Sequence, residues 1–306
     1  MQTAFLFSGQ GAQYPGMGKE LYQQEKIVRQ TFSQASEVLG YDMAELCFES
    51  DRIHQTEYTQ PAILTVSIAF WRILNEKGFQ ADAVAGLSLG EYSALVASGA
   101  LDFEIAVDLV AKRGKFMTKA APKGTGKMVA VLNTPIETIE ASCQQAANVG
   151  IVVPANYNTP QQIVIGGEVE AVDAAVNFLK EAGVKRMIPL NVSGPFHTPL
   201  LKPAADELKK ELEKIRFSAM QIPVISNTTA KVMKQEEIKS LLEQQVMSSV
   251  RFYESIETLK QIGITQTVEI GPGKVLTGFI KKIDPSINLL RVEDSETLAA
   301  TIAQLD

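Results

Sequence analysis

The stretch Val84-Ala-Gly-Leu-Ser-Leu-Gly-Glu-Tyr-Ser93 joins a short apolar strand to a helix through the pattern Gly-x-Ser-x-Gly at 86–90. In this strand–turn–helix context a nucleophilic serine sits on a sharp turn, and glycines are needed because nearby Cβ atoms would clash. The N–H group of Ser88 and its neighbours are then expected to face a developing oxyanion at the start of the helix. The pattern is common by itself, so Ser88 is a candidate nucleophile and a plain turn is an equally good interpretation.

Strands and helices alternate along the chain on both sides of this turn. The apolar patterns and turn residues predict strands at 3–7, 84–85, 222–226, 266–270 and 288–292 and helices at 61–74, 89–98, 103–117, 235–245 and 253–261. Asp102 is expected to cap the helix at 103–117. Pro61 is expected to be the first residue of the helix at 61–74. The alternation predicts an α/β fold with a largely parallel sheet covered by helices on both faces.

The middle of the chain has a different order, β-α-β-β-α-β, which is the ferredoxin-like arrangement. Its predicted elements are strands at 128–132, 151–156, 162–165 and 185–191 and helices at 135–147 and 168–182. Turn-rich segments at 122–126 and 194–195 flank this unit. We therefore predict a ferredoxin-like subdomain at 124–193, inserted into a larger α/β domain made of 1–123 and 194–306.

Composition excludes several classes of function. The chain has 306 residues, of which 45% are hydrophobic and 21% charged, as in an ordinary globular enzyme. It contains only two histidines and two separated cysteines, so a three-histidine zinc site, a cysteine-rich metal site and a disulfide framework are not expected. The net charge of −6 argues against non-specific binding of nucleic acid.

No targeting or membrane segment is expected either. The first seven residues lack a basic region followed by a long apolar run, so they do not resemble a signal peptide. The most apolar stretch, 63–74, is too short to span a bilayer. Together with the two isolated cysteines, which suit a reducing compartment, this predicts a cytoplasmic protein without a membrane partner.

A serine nucleophile needs a base, and the sequence offers two histidines. His197 lies in a loop rich in Gly and Pro, just before a helix, and it follows Ser88 in the chain as in α/β-hydrolase-like sheets. His54 lies in the polar stretch Asp-Arg-Ile-His-Gln-Thr, which is typical of a surface. His197 is therefore the candidate base, jointly with Ser88.

Two further residues are candidates with open alternatives. Gln10 lies between two glycines after the first strand, where its N–H could face a cleft as part of an oxyanion hole or simply form a tight turn. The dinucleotide-binding pattern fails at this loop, and the Walker pattern fails at 126–128 and at 273–275, where Ser or Thr is missing after Gly-Lys. Arg113 lies late on a helix, where it could face solvent or bind a carboxylate through two hydrogen bonds.

Taken together, these motifs resemble the malonyl-CoA:acyl carrier protein transacylase family over essentially the whole chain. The residues that carry the resemblance are ordered and spaced along the sequence. They are Phe7-Ser-Gly-Gln-Gly-Ala-Gln13, Tyr58-Thr-Gln-Pro-Ala62, Gly86-Leu-Ser-Leu-Gly-Glu-Tyr-Ser93, Arg113-Gly-Lys-Phe-Met117, Asn156-Tyr-Asn-Thr-Pro160, Phe196-His197 and Glu269-Ile-Gly-Pro-Gly-Lys-Val-Leu276.

The resemblance implies a role for each matching residue. Ser88 would carry the malonyl group as an ester, and His197 would act as base and then as acid. The N–H groups of Gln10 and Leu89 would form the oxyanion hole, and Arg113 would pair with the free malonyl carboxylate. The main-chain carbonyl of Gln245 would orient the histidine in place of a carboxylate, and Gln60, Leu87, Asn156 and Phe196 would line the pocket.

The resemblance also implies the fold, the substrates and the partner. The family has an α/β-hydrolase-like domain with a ferredoxin-like insertion, and it binds no cofactor or metal. Its substrates are malonyl-CoA and an acyl carrier protein with a phosphopantetheine thiol, which it loads for fatty acid elongation. A monomer is expected, with transient electrostatic docking of the acidic carrier protein at a local basic patch such as Lys185-Arg186 or Lys281-Lys282.

Two departures from the family pattern and several alternatives remain. Leu87 stands where the family usually has His before the nucleophile, and Ser249 and Phe252 stand where it tends to have Pro and Trp. A serine esterase or thioesterase could use the same Ser88–His197 pair. A discrete polyketide acyltransferase and a non-catalytic docking subunit are further possibilities; the absence of linkers at either end of the chain weighs against a domain of a larger synthase.

Overall fold

A computed structural model describes residues 1–122 and 124–305 of the chain. Lys123 and Asp306, at which two of the predicted domain boundaries fall, lie outside the described residues. Within the two ranges there are two four-stranded sheets, in the orders β2-β1-β7-β8 and β4-β5-β3-β6. The strands are β1 Thr3–Phe7, β2 Ala83–Gly86, β3 Lys127–Leu132, β4 Val152–Thr159, β5 Gln162–Gly167, β6 Met187–Pro189, β7 Gln266–Ile270 and β8 Asn288–Val292.

The helices surround these sheets. They are α1 Lys19–Gln24, α2 Lys26–Leu39, α3 Met43–Glu49, α4 Thr56–Glu76, α5 Gly90–Ala97, α6 Phe103–Ala120, α7 Ile136–Ala146, α8 Val169–Glu181, α9 Lys202–Lys214, α10 Ile238–Gln245, α11 Phe252–Gln261, α12 Val275–Ile283 and α13 Ser295–Leu305. Short 3-10 helices span Asp51–His54, Pro199–Leu201 and Gln235–Glu237. Helices α1 to α3, α12 and α13 were not predicted from the sequence.

The first sheet is parallel throughout, as the alternation of elements predicted. Its central strands β1 and β7 are buried along their whole length, because helices cover both faces. Phe5 and Phe7 point into one hydrophobic cluster, whereas Ala4 and Leu6 point into another on the opposite face. The paired ends of β1 and β2, at Phe7 and Gly86, bring the loops that follow these strands side by side.

The second sheet is antiparallel and contributes to two cores. Val129 and Val131 face a separate cluster with helices α7 and α8. Met128 and Ala130 alternate with them and face the main cluster, as the two-residue period of a strand requires. Strand β4 also bonds to Val250, so this sheet is held against the segment between α10 and α11.

Several predicted elements differ from the structure. The strand predicted at 185–191 is limited to Met187–Pro189, and the helix predicted at 235–245 begins with a 3-10 turn at Gln235–Glu237. The predicted strand at 222–226 is wrong, because Val224 and Ile225 form only isolated bridges, with Val84 and Val232 respectively. The helix predicted from Pro61 begins instead at Thr56, so Pro61 lies inside α4. Pro61 is the sixth residue of α4, beyond the first turn, so it deprives the carbonyl of Glu57 of its usual N–H donor.

The expected cap of α6 is confirmed. Asp102 caps α6 by accepting hydrogen bonds from the N–H groups of Glu104 and Ile105. Cys47 and Cys143 are buried free thiols. In the part of the chain that the structure describes, no helix is long and apolar enough to cross a bilayer.

Candidate active site

The candidate nucleophile lies on the turn between β2 and α5. Ser88 has a φ of 53°, in the left-handed region that is unfavourable for residues other than glycine. The flanking glycines make this turn possible: a Cβ on Gly86 would lie 2.0 Å from the main-chain carbon of Gly90, and one on Gly90 would lie 2.1 Å from the carbonyl oxygen of Phe7. The turn is therefore packed too closely for side chains at 86 and 90.

The loop after β1 lies against this turn. A Cβ on Gly9 would lie 2.4 Å from the carbonyl oxygen of Leu87, so glycine is required for the approach. In the described residues, the main-chain N–H groups of Gln10 and Leu89 donate no hydrogen bond to another group. Two free donors next to a serine hydroxyl can stabilise negative charge on a substrate oxygen.

His197 is placed as a base for Ser88. Its Nε2 lies 2.8 Å from Ser88 Oγ, and its Nδ1 lies 2.7 Å from the carbonyl oxygen of Gln245. A carbonyl can only accept, so Nδ1 carries the proton and Nε2 is free to accept one from the serine. Burial and the charge of Arg113 lower the pKa of His197 to about 4, which keeps the ring neutral at pH 7.

Arg113 joins the same cluster from helix α6. Its side chain is only 1% exposed, and its Nη2 donates to Ser88 Oγ over 3.1 Å. The guanidinium also donates to the side-chain oxygens of Gln60, at 2.7 Å, and Gln245, at 2.9 Å. Burial lowers the pKa of Arg113, but guanidinium remains charged at neutral pH.

This buried cation forms no ion pair with a carboxylate in the described part of the chain. Among the described residues, no Asp or Glu oxygen comes within ion-pairing distance of Arg113. Its hydrogen-bond partners are neutral amides and a hydroxyl, and Tyr92 presents its ring 5.3 Å from the guanidinium carbon. Buried Glu91 acts on this charge only through space, and its own pKa is raised to about 7, so the guanidinium is suited to direct contact with an entering anion.

One expectation about the turn is wrong. The N–H of Ser88 is not available to a substrate, because it donates to Asn227 Oδ1 over 2.6 Å. Asn227 Nδ2 donates to the carbonyl of Gly86 over 2.7 Å, and its main-chain N–H donates to Glu91 Oε2 over 2.6 Å. Burial raises the pKa of Glu91 to about 7.

A cavity of about 450 Å³ opens over Ser88. The residues expected to line it, Gln60, Leu87, Asn156 and Phe196, all do so. Exposed His54 also lies on its wall, which the polar sequence around it did not indicate.

Several residues of the site were missed by sequence reasoning. Asn227 and Glu91 hold the turn from behind, and Asn158 and Glu269 line the cavity. Asn158 and Glu91 fall within motifs that carry the family resemblance, which was the available signal for them. Asn227 lies 139 residues from Ser88, the residue it holds, in no recognisable pattern.

The arrangement can perform acyl transfer to and from a serine without a metal. Nucleophile, base and orienting acceptor are aligned by two short hydrogen bonds, and two free N–H groups stand beside them. No group of three potential metal ligands occurs among residues 1–122 and 124–305. The cation next to the nucleophile favours an acyl group that carries its own negative charge.

Comparison with known proteins agrees with this chemistry. The sequence profile of the acyl transferase domain family matches residues 4–296. The chain is 46% identical to the malonyl CoA-acyl carrier protein transacylase of Bacillus subtilis (strain 168), over 99% of this chain and 97% of that protein. It is 42% identical to the enzyme of the same name from Escherichia coli (strain K12), over 98% and 99%.

Solved structures show the same fold. A crystal structure of MCAT from Streptococcus pneumoniae is 60% identical, with a TM-score of 0.97, and the match covers 99% of this chain and 100% of that one. A second match is a chain from the structure of a type II polyketide synthase acyl carrier protein in complex with its malonyl transacylase. It is 42% identical, with a TM-score of 0.96, and the match covers 99% of this chain and 100% of that one.

Proposed function

Since the chain belongs to the family of malonyl-CoA:acyl carrier protein transacylases, we propose that it transfers the malonyl group by way of an ester on Ser88. The enzyme is an acyltransferase, and its substrates are malonyl-CoA and acyl carrier protein. Its product supplies fatty acid elongation. One observation carries the mechanism: Ser88, His197 and the Gln245 carbonyl lie in a hydrogen-bonded row beside the buried cation of Arg113.

The first half-reaction forms the ester. Ser88 Oγ attacks the thioester carbon of malonyl-CoA while His197 Nε2 takes the serine proton. The carbonyl oxygen becomes an oxyanion held by the N–H groups of Gln10 and Leu89, each worth roughly 3–4 kcal/mol. Collapse of this intermediate breaks the carbon–sulfur bond, and the proton on His197 passes to the sulfur of the departing CoA.

The second half-reaction reverses these roles. The phosphopantetheine thiol of the carrier protein gives its proton to His197 and attacks the ester carbon. The oxyanion forms in the same place, the carbon–oxygen bond to Ser88 breaks, and His197 returns the proton to Ser88 Oγ. No net proton is consumed, and the same row of hydrogen bonds serves both directions.

Arg113 selects and positions the malonyl group. Its guanidinium binds the free carboxylate through two hydrogen bonds, which replace those to the neutral groups around it. Its 3.1 Å bond to Ser88 Oγ places that carboxylate within reach of the nucleophile. An acetyl group would leave the buried cation without an anion, so the site favours diacids.

Hydrolysis is disfavoured by the same features. A serine hydrolase usually orients its histidine with a carboxylate, whereas a neutral carbonyl fills that position here. The anion-binding pocket gives a simple esterase no advantage. Turnover of malonyl-CoA with and without carrier protein separates the two activities, because a hydrolase would consume the thioester rapidly without acceptor.

The two sheets support a division of the chain into two domains that suits this function. We propose an α/β-hydrolase-like domain, 1–123 and 194–306, which is supported by the parallel sheet with Ser88 in the turn after β2. We also propose an inserted ferredoxin-like subdomain, 124–193, which is supported by the antiparallel sheet in the order β4-β5-β3-β6. The cleft between them holds the acyl group.

The carrier protein is expected to dock on a monomer in the cytoplasm. The side chains of Lys185, Arg186, Lys281 and Lys282 are exposed, as a basic docking patch requires. Buried free Cys47 and Cys143 suit a reducing compartment.

The direct test is a mass measurement. The protein is mixed with malonyl-CoA without acceptor, and its intact mass is recorded. Wild type should gain one malonyl group, and Ser88→Ala should gain none; His197→Ala should load far more slowly. Absence of an adduct on wild type, or its persistence in Ser88→Ala, would refute the serine ester.

A further inference from the structure

Asn227 uses every polar group that it has. Its side-chain amide accepts from the N–H of Ser88 and donates to the carbonyl of Gly86, the residues on either side of Leu87. Its main-chain N–H donates to Glu91, and its carbonyl accepts from the N–H of Arg251 over 2.9 Å. Asn227 is completely buried. Four hydrogen bonds from one buried residue are typical of a residue that fixes its neighbours' geometry.

The path of the chain explains how this amide reaches the turn. Before Asn227 the segment runs parallel to β2: Val84 donates to the carbonyl of Pro223 and accepts from the N–H of Ile225. In an unbroken parallel ladder, the next donor to β2 would be the main-chain N–H of Asn227, aimed at Gly86. Here that N–H turns to Glu91, and the side-chain amide takes its place.

The substitution of side chain for backbone lets β2 end sharply. A true strand partner would have to continue alongside, and Ser88 would then be held in an extended conformation. The Asn227 amide instead supplies one donor, to the carbonyl of Gly86, and one acceptor, for the N–H of Ser88. Ser88 keeps a φ of 53°. The amide thereby offsets part of the cost of an unfavourable conformation at the residue that must react.

Glu91 anchors the amide from the opposite side. It lies in the first turn of α5, three residues after Ser88, and is fully buried. Its Oε2 accepts from Asn227, whereas its Oε1 has no partner among the described residues. The helix that follows the nucleophile and the segment that clamps it are thus tied together.

We propose that Asn227 is a positioning residue, whose side-chain amide holds the strained turn so that Ser88 Oγ points at His197 and the Ser88 N–H is kept away from the oxyanion. Asn227 lies behind the turn and acts only through Ser88. This inference rests on the function proposed above. It predicts that loss of the amide slows ester formation and leaves binding of malonyl-CoA intact.

Two variants and one control test it. Asn227→Ala removes both bonds to the turn, and Asn227→Asp keeps an acceptor for Ser88 but has a donor for Gly86 only when protonated. Ser226→Ala is the control, because Ser226 is the adjacent buried residue and its hydroxyl bonds only within its own loop. Malonyl loading is followed in single turnovers by intact mass from pH 5.5 to 8, well below each variant's melting temperature.

The expected results are specific. The saturating loading rate of Asn227→Ala should fall about tenfold to a hundredfold, as for a buried group left without its partner, with the half-saturating malonyl-CoA concentration unchanged. Ser226→Ala should load like wild type. The rate of Asn227→Asp relative to wild type should rise several-fold as the pH falls and its carboxyl group regains a proton.

The ratio isolates the introduced group. Glu91 on α5, Arg113 on α6 and His197 face the turn in every variant, so the titration that they share with wild type divides out. What remains in the ratio is the titration of the new carboxyl group and the pKa shifts that it causes in these neighbours. A role in folding alone would lower the melting temperature without giving folded Asn227→Asp a pH-dependent rate ratio.

The outcomes separate this inference from the proposed function. If wild type forms no ester, the proposed function fails. If wild type loads and Asn227→Ala loads within twofold of it, or a folded Asn227→Asp shows a flat ratio, the positioning role is overturned. Where Asn227→Ala does not fold, the ratio for Asn227→Asp decides; where neither variant folds, Asn227 is a folding residue and the proposal is rejected.

Discussion

The guanidinium of Arg113 donates a hydrogen bond to Ser88 Oγ over 3.1 Å from an almost completely buried position. The cation that we propose as the carboxylate-binding group therefore contacts the proposed nucleophile directly. A malonyl carboxylate bound to Arg113 would compete for that donor and free Ser88 to react. In the proposed mechanism, carboxylate binding and activation of Ser88 would thus be coupled through Nη2 of Arg113.

Replacing Arg113 should change which acyl group is transferred. In Arg113→Ala, loading from malonyl-CoA should fall by a factor of about one hundred or more, since a buried charge pair is worth roughly 3–5 kcal/mol when one partner is removed. Loading from acetyl-CoA should fall much less. Rates for both thioesters are measured in parallel, with exposed Lys115→Ala on the same helix as control. An unchanged ratio of the two rates would refute the carboxylate role.

The pH dependence should reflect the buried base. As the proposed base, His197 would act only when unprotonated, and its pKa is lowered from 6.5 to about 4 by burial and by Arg113. Protonation, and with it loss of activity, therefore begins only below about pH 5, rather than near 6.5 as for an exposed histidine. The measurement is kcat/KM for malonyl loading from pH 4 to 8. In Arg113→Gln the half-maximal pH should rise, because a positive neighbour is gone; no movement would contradict the charge effect.

Glycine at the turn should be indispensable. In Gly86→Ala the new Cβ would lie 2.0 Å from main-chain atoms, so the turn must shift, at a cost of about 1–3 kcal/mol or more in unfolding free energy. Gly278→Ala is the matched control: it lies in helix α12 with no atom within 4 Å of the added Cβ. That change should stabilise by up to about 1 kcal/mol. Urea unfolding measures both, and equal effects would show that the close packing is relieved elsewhere.

Phe196 should limit the size of the acyl group. It lines the cavity directly before His197 and is mostly buried. Phe196→Ser should open space for an α-methyl group, so the rate of loading from methylmalonyl-CoA relative to malonyl-CoA should rise about tenfold, as expected for removal of a clash of one methyl group. Competition between the two thioesters, read by intact mass, gives the ratio. A ratio no higher than that of wild type would assign the selectivity to another residue.

Basic side chains should act only on the second half-reaction. Charge reversal at Lys185 with Arg186, or at Lys281 with Lys282, should raise the KM for the acidic carrier protein and slow no other step. Malonyl loading of Ser88 provides the internal control. Equal slowing of loading and of transfer would reject docking at that pair.

The sequence was sufficient for the parts of the site that depend on local geometry. The turn at 86–90 could be predicted because a serine on a sharp strand-to-helix turn requires glycine on both sides, and the sequence has both. Asp102 could be predicted as a cap because its short side chain satisfies N–H groups two and three residues away. Both features depend only on residues within a few positions of one another in the sequence.

Features that depend on distant segments could not be predicted in the same way. Ile222 to Ser226 has the composition of a strand, but beside β2 the ladder stops after a single bridge because a side chain replaces the backbone. The burial of Arg113 depends on Gln60, Gln245 and Tyr92, which come from three other segments. Nothing near position 113 distinguishes a buried guanidinium from a solvated one.

The carbonyl of Gln245, which accepts from His197 Nδ1, has a consequence for how the enzyme can vary over time. Every amino acid carries a carbonyl, so no point mutation at 245 deletes the acceptor. The Gln245 side chain, which bonds to Arg113 and to the carbonyl of Ser88, can be altered without removing the group that orients the base. The presence of this acceptor therefore depends on the path of the main chain and not on which amino acid is encoded at 245. Substitutions at 245 can change the surroundings of Arg113 while the hydrogen bond that orients His197 is kept.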